Sequence, residues 1–368
     1  MIPDDTAPLA HHPHNLLITG GAGFIGTNYV YHRLAANPEN RLVVLDALNY
    51  AGRRANLATA EQSPGLRFVQ GSITDQPLLE KLLREEEIDT IVHFAAESHV
   101  DRSISGPDPF IETNVVGTHI LLKAARKAWL SGSGRPHRFH HISTDEVYGS
   151  LGPDDPPFRE TTPYAPNSPY AASKAASDHL VRSYHHTYGL QTTISNCSNN
   201  YGPYQFPEKL IPLVTLNILH GRPLPVYGDG GNIRDWLHVD DHCRGIDLIL
   251  DRGRIGEVYN LGGDNEWNNL DLVRQLCRLL DEKFAANPRL VALFPAAPAS
   301  RGGKAADLLT FVDDRPGHDH RYAIDFNKSR QELGYRPRQD FIEGLNKTVQ
   351  WYIDAVINRS FITESQAA

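Results

Sequence analysis

Sulfur is scarce in these 368 residues: methionine occurs once, and cysteine only at Cys197, Cys243 and Cys277. Those thiols have neither metal-ligand nor redox-motif spacing, which excludes a disulfide framework and fits a reducing cytoplasm. Small core packing is the role expected of each. No apolar run approaches the ~18 residues that a membrane-spanning helix needs, so no membrane partner is expected. Residues 1–14 carry acidic, proline and histidine residues where a secretory leader would have a basic start and an apolar centre, and a disordered tail is expected there. Positive charge is also in deficit. With 36 Lys and Arg against 44 Asp and Glu, the net charge is -8, which argues against a nucleic-acid partner and leaves any phosphate to individual Arg and Lys side chains. Histidine is plentiful at 18. Yet neighbours such as His140 and His141, or His185 and His186, do not share one face of a helix or strand, and no His-Glu-x-x-His motif occurs, so no metal is expected.

What is present is a regular alternation. Short β-rich runs near 15–19, 42–45, 67–70, 90–94, 138–143 and 191–196 are separated by helical patterns. This predicts an α/β fold built on a Rossmann-type doubly wound parallel sheet. After residue 198 the pattern breaks into short elements rich in Gly, Pro and Asn, as expected of a smaller C-terminal substrate-binding domain. The expected organisation is a tail over 1–14, a nucleotide-binding domain over 15–197, a substrate domain over 198–355 interleaved with the first, and a tail over 356–368. The Pro-, Ala- and Gly-containing stretch 287–304 reads as an excursion loop.

The first β-α turn carries Thr19-Gly20-Gly21-Ala22-Gly23-Phe24-Ile25-Gly26. Gly20 and Gly23 allow a tight turn and close approach of the backbone to a pyrophosphate, Gly26 lets helix and strand pack closely, and the helix start offers partial positive charge. Asp46 follows the second apolar run, where a carboxylate accepts hydrogen bonds from ribose hydroxyls and repels a 2′-phosphate. The cofactor expected is NAD; Arg53 and Arg54 nearby are the only features that would favour NADP.

The chemistry is expected in two further segments. Thr144, Asp145 and Glu146 follow the apolar run 139–142, setting a hydroxyl and two carboxylates at a strand end. Tyr170 and Lys174 stand four apart, on one helical face. Ser168 and Pro169 read as the N-cap and first position of that helix, fixing Tyr170 near a rigid start. A lysine beside a tyrosine favours the phenolate, and lowering the phenol from about 10 to about 7 requires roughly 4 kcal/mol.

These residues, together with the segments 93–103, 198–210, 227–236 and 314–319, closely resemble the extended short-chain dehydrogenase/reductase family over roughly residues 15–352. Within it the chain resembles the dTDP-glucose 4,6-dehydratases; sugar epimerases of the superfamily typically lack the Asp-Glu pair. The resemblance implies an NAD-dependent hydro-lyase of deoxysugar and cell-surface polysaccharide synthesis that acts on dTDP-glucose, with a 4-keto-6-deoxy sugar and water as products. It implies Tyr170 as the base at C4, Thr144 as its hydrogen-bonding neighbour, Glu146 as the base at C5, Asp145 as the acid at C6, and Lys174 on the nicotinamide ribose. Further cofactor positions implied are Phe24, Ile25, Asn49, Ser72, Ile73, Ala95, Ala96, Ser98, Thr113 and Asn200. Where the family commonly reads adenine with an Asp, this chain has Ser72; either Ser72 or Asp75 takes that role. Substrate positions implied are Ser98, Asn199, Lys209, Leu210, Arg234, Asn269, Arg315 and His318, with Pro225 and Tyr227 beside the base. Family members pair through the helices near 109–127 and after Tyr170. A homodimer is therefore expected, with Ile111, Val115, Leu122 and Ala125 as an apolar stripe.

Overall fold

The computed structural model describes residues 11–358. Seven parallel strands form the main sheet, in the spatial order Val258–Leu261, Thr192–Cys197, Arg138–Thr144, Thr90–His93, Asn15–Thr19, Arg41–Asp46 and Leu66–Gln70. Successive side chains of a strand point to opposite faces, and here both faces are covered. Leu17, Val43 and Leu45 pack with Leu79, Leu82, Leu121 and Val181 on one side. Leu16, Ile18, Leu42 and Val44 pack with Tyr29, Val30 and Ile246 on the other. Double-sided burial is why these strands read as unbroken apolar runs.

Six of the seven strands lie where the sequence pattern puts them. The seventh, Val258–Leu261, comes from the C-terminal half, as does the helix Val239–Arg252 whose Ile246 and Leu250 complete the second layer. The two halves of the chain are thus interleaved. The remaining C-terminal elements build their own apolar core, in which Ile211, Val214, Leu272, Leu276, Leu345 and Val349 are fully buried. A three-stranded sheet of Glu266–Asn268, Ile233–His238 and Asn199–Tyr201 joins that core to the main body.

Two expectations about irregular segments are corrected. The stretch 287–304 is not an excursion loop: the Asn287 side chain caps the helix Pro288–Leu293 by accepting from the Arg289 amide (3.1 Å). Leu290, Phe294 and Ala297 are buried in the C-terminal core, and a short 3₁₀ turn, Pro298–Arg301, follows. An Asn cap, a Pro at the first position and apolar residues four apart are sufficient for a packed helix. The expected tail is also shorter than 1–14, because His11 is buried with its Nε2 2.8 Å from Thr90 Oγ1, and the Pro13 carbonyl accepts from Asn40 Nδ2 (2.8 Å). Residues 1–10 lie outside the described residues, as do 359–368 of the expected C-terminal tail. Among the described residues, no helix is long and apolar enough to cross a membrane.

Strand order reverses between Asn15–Thr19 and Thr90–His93. In a doubly wound sheet, the crevice outside the strand ends at such a point is where ligands bind.

Candidate active site

A cleft opens at that reversal, and its floor is the glycine turn. Gly20 has φ +71°, and a Cβ there would stand 2.6 Å from the Ala95 amide nitrogen. A Cβ on Gly26 would stand 2.3 Å from the Gly20 carbonyl oxygen, so the turn and the helix Phe24–Ala36 can meet only through glycines. Gly23 supplies no capping side chain, which leaves the first-turn N–H groups of that helix for an anion. Asp46 does more than sequence position suggested. Its Oδ2 accepts from the Ala22 amide (2.9 Å) and its Oδ1 from the Leu48 amide (2.8 Å), so the carboxylate also ties the glycine turn to the second strand. Burial raises its pKa while these two donors oppose the rise; the remaining lone pairs are available to ribose hydroxyls.

Phe24, Ile25, Asn49, Ser72, Ile73 and Ala95 line the same cleft, as do Ala96, Ser98, Thr113 and Asn200. Of the two alternatives for reading adenine, Ser72 lines the cleft, its Oγ accepting from the Thr74 amide (3.1 Å). Asp75 instead caps the helix Gln76–Glu85 by accepting from the Leu78 amide (3.0 Å).

Thr144, Asp145, Glu146, Tyr170 and Lys174 converge at the inner end of the cleft. The helix Pro169–Tyr188 starts as its sequence requires: Ser168 Oγ accepts from the Ala171 amide (3.1 Å), and the Tyr170 amide is fixed by Ser103 Oγ (3.2 Å). Thr144 lies close enough to the Tyr170 phenol to act on it, and Thr144 Oγ1 donates to Asp145 Oδ1 (3.4 Å).

The adjacent carboxyls have unequal surroundings. Burial, then the charge of Glu146, then that of Asp235 push Asp145 well above the usual carboxylate range. Burial also raises Glu146, but Lys209, Arg234 and Arg315 all act against the rise. Burial and like charge therefore favour the acid form of Asp145, while three cations favour Glu146 as an anion.

One expectation about the lysine is corrected. The free site does not lower the Tyr170 phenol: burial first and Glu146 second push it well above 10, and Thr144 is the opposing group. The Lys174 ammonium donates to the Ile142 carbonyl (2.7 Å) and stands 3.4 Å from His141 Nε2. Burial brings Lys174 itself down to about 8. A shared helical face supplies proximity, but in the free site desolvation outweighs it.

Of the positions implied for the substrate, Asn199 and Lys209 line the cleft, with Lys209 Nζ donating to the Ser98 carbonyl (3.0 Å). Arg234 and Arg315 are close enough to act on Glu146. Arg315 pairs with Asp101 (2.9 Å), the Tyr227 hydroxyl donates to the same carboxylate (3.4 Å), and the His318 ring meets Tyr227 edge-on at 6.1 Å. These three form one connected group. Leu210, Pro225 and Asn269 do not line this cleft: Leu210 opens the helix Leu210–His220, Pro225 lies in the strand Leu224–Tyr227, and Asn269 opens the helix Asn269–Ala286.

Sequence reasoning missed Asn114, which is buried in a π-helical turn, Ile111–Gly117. Its side chain accepts from the Glu97 amide (2.8 Å) and donates to Ser173 Oγ (2.8 Å), tying the loop after the fourth strand to the Tyr170 helix. Only knowledge of the π turn, which re-aims a residue within a helix, would have singled it out.

The family described as GDP-mannose 4,6 dehydratase matches residues 17–348. The dTDP-glucose 4,6-dehydratase of Neisseria meningitidis serogroup B is 52% identical over 92% of this chain and 93% of that protein. The Escherichia coli K12 dTDP-glucose 4,6-dehydratase 1 is 50% identical over 92% of each. Among solved structures, DesIV of Streptomyces venezuelae, a dTDP-glucose 4,6-dehydratase with NAD and TYD bound, superposes with a TM-score of 0.82 at 50% identity, covering 92% of this chain and 97% of that one. A UDP-glucuronic acid 4-epimerase of Bacillus cereus reaches 0.79 at 26% identity, covering 92% and 99%. Fold likeness thus extends to epimerases, while half-identity over nearly the whole length is shared with the dehydratases: this chain belongs to the dTDP-glucose 4,6-dehydratase family.

Proposed function

We propose that this chain converts dTDP-glucose to dTDP-4-keto-6-deoxyglucose and water, with NAD kept in the cleft throughout. The observation that carries the reading is the Asp145-Glu146 pair, two carboxyls in unequal electrostatic settings beside Thr144 and Tyr170. The residues present fit the cofactor. A Cβ would fill the cradle at Gly20, the helix behind it offers uncapped N–H groups, and Asp46 stands at the ribose position. They also fit a polar ligand, because Asp145 Oδ2, Asn199 Oδ1 and Arg315 Nε are buried with no hydrogen-bond partner among the described residues.

Held by the glycine turn, Asp46 and Lys174, NAD would supply a two-electron acceptor for oxidation at C4 and a hydride donor for reduction at C6. Tyr170 takes the C4 hydroxyl proton while Thr144 holds the same oxygen. Lys174 supports the phenolate and holds the nicotinamide ribose. Once C4 is a ketone, its α-proton at C5 is acidic, and Glu146 removes it. Asp145, whose acid form burial favours, hands a proton to the departing C6 oxygen, and Glu146, its proton exchanged with solvent, protonates C5. Lys209, Arg234 and Arg315 place cations around Glu146 and hold the pyrophosphate, Arg through paired charge-assisted hydrogen bonds. Tyr227 flanks the base, with Asn199 and His318 completing the nucleotide end.

The proposal extends to the assembly and setting. The cofactor half is residues 15–197 and the nucleotide-sugar half mainly 198–355. A homodimer forms through the helical stretch 108–128 and the helix Pro169–Tyr188. Of the stripe read from sequence, Leu122 and Ala125 are fully buried in the monomer's own core. Exposed apolar surface comes instead from Ile104, Ile111 (49% exposed) and Val116. The three cysteines, all buried and free, fit a cytoplasmic enzyme. The test is incubation of the purified protein with dTDP-glucose: a 4-keto-6-deoxy product is expected, and an epimerised hexose or unchanged substrate would overturn the reading.

A further inference from the structure

The stripe of Tyr170 and Lys174 has a third member that the mechanism above does not use. Asp178 lies four residues further along the helix Pro169–Tyr188, on the same face, and is fully buried. Its Oδ2 accepts from Ser143 Oγ (2.8 Å) and from the Tyr164 hydroxyl (2.9 Å). Its Oδ1 lies 3.3 Å from His141 Nε2, and that same imidazole nitrogen is 3.4 Å from Lys174 Nζ. One ring nitrogen therefore stands between the ammonium and the carboxylate. Neither Asp178 nor His141 lines the cleft.

We propose that Asp178 is a positioning residue that forms the fixed counter-charge of Lys174, with the neutral His141 ring lodged against both, keeping the lysine cationic while the sugar is oxidised so that its charge supports proton transfer to Tyr170. This rests on the dehydratase reading. The physical need is plain: an isolated ammonium in so dry a place gives up its proton instead of staying charged. Burial brings Lys174 to about 8, with Asp178 the foremost opposing group. The other groups that face it are not anions near neutral pH. His93 and His141, from neighbouring strands, are held neutral by burial. The Cys197 thiol is pushed up by burial, and Tyr170 is protonated in the free site. Asp178 is itself raised to about 6 by burial, against Lys174, Ser143, Tyr164 and His179, so it is ionised in the neutral range. Ser143 and Tyr164 fix its orientation.

The sign follows directly. A carboxylate raises the lysine's pKa, so removing it makes the cation disappear at lower pH. Asp178→Asn preserves size and can still accept from Ser143 and Tyr164. Its C4 oxidation, followed in a single turnover as NADH appearance, should fall along an alkaline limb displaced downward by roughly one pH unit or more, with convergence towards wild type in acid. Asp178→Glu should retain the limb. Heteronuclear NMR of the Lys174 ammonium, assigned with Lys174→Arg, reads the same titration without substrate and remains informative if the reaction is different. A shift in Asp178→Asn by both measurements supports the inference. A limb and an NMR titration that do not move, with activity reduced equally at every pH, would overturn it and leave Asp178 a packing residue. A shifted NMR titration in a protein that never oxidises dTDP-glucose would support the counter-charge and overturn the dehydratase reading alone.

Discussion

Glu146→Gln and Asp145→Asn should split the reaction at its middle, for reasons that differ between the two sites. Asp145 is 1% exposed, and burial together with Glu146 and Asp235 favours its acid form. Exchange for Asn replaces one neutral group by another, so the fold should hold while the acid is lost. Loss of a positioned acid or base typically costs ~10² to 10⁴ in rate, or about 2.7 to 5.4 kcal/mol of barrier. The C6 oxygen should leave that much more slowly. Glu146→Gln instead removes a negative charge faced by Lys209, Arg234 and Arg315. The C5 proton should then exchange with deuterated water more slowly by a similar factor. Glu146 is also the foremost charge raising the Tyr170 phenol. Its removal lowers that pKa, so C4 oxidation in Glu146→Gln should persist to lower pH than in wild type. Single-turnover NADH absorbance reads oxidation, and mass spectrometry of the quenched sugar in deuterated water reads C5 exchange and C6 loss. NADH and a 4-keto-glucose should accumulate in both variants. If Glu146→Gln lost NADH formation as completely as dehydration, the carboxylate would be a positioning group for substrate or cofactor, and the division of labour would be wrong.

Tyr170→Phe keeps the ring but removes the base, and should slow C4 oxidation by ~10² to 10⁴; near-normal NADH formation would refute its role. Asp46→Ala strands the buried Ala22 amide and the half-buried Leu48 amide, at a cost of about 1 to 3 kcal/mol for the buried donor left unmade and less for the other. Urea unfolding should show that loss, and the preference for NAD over NADP should narrow; an unchanged preference would remove Asp46 from cofactor selection. Phe294→Ala empties a buried site beside Phe284 and should cost about 3 to 5 kcal/mol. A loss under 1 kcal/mol would mean that the 287–304 stretch is dispensable to the core. Light scattering at micromolar concentration should report a dimer that Ile111→Glu disrupts, whereas a monomeric wild type would contradict the proposed pairing.

The main sheet was legible because its strands are covered on both faces, so that Leu16-Leu17-Ile18 and Leu42-Val43-Val44-Leu45 stand out as runs. Val258–Leu261 was not, since four residues among Gly and Asn carry too little pattern and its place depends on pairing with Thr192–Cys197. The 287–304 stretch misled through composition, whereas capping and the spacing of Leu290 and Phe294 decide its structure. At the site, spacing put Tyr170 and Lys174 on one face but contained nothing about burial, which sets the direction of both pKa shifts. The adjacent histidines show the same limit. Strand alternation sends His140 towards Thr193 and Ser195, and His141 towards Lys174 and Asp178. The use of His141 depends on a helix that packs on it from some thirty residues further along.

The central claim is that one bound NAD carries a hydride from C4 to C6 of the same sugar while Tyr170, Glu146 and Asp145 move the protons. Its most direct test is a single turnover of dTDP-glucose carrying deuterium at C4, with no free cofactor added. The account predicts a 4-keto-6-deoxy product that retains the deuterium at C6 and takes its C5 hydrogen from solvent. Deuterium returned to C4, or lost to added NAD or to water, would contradict it.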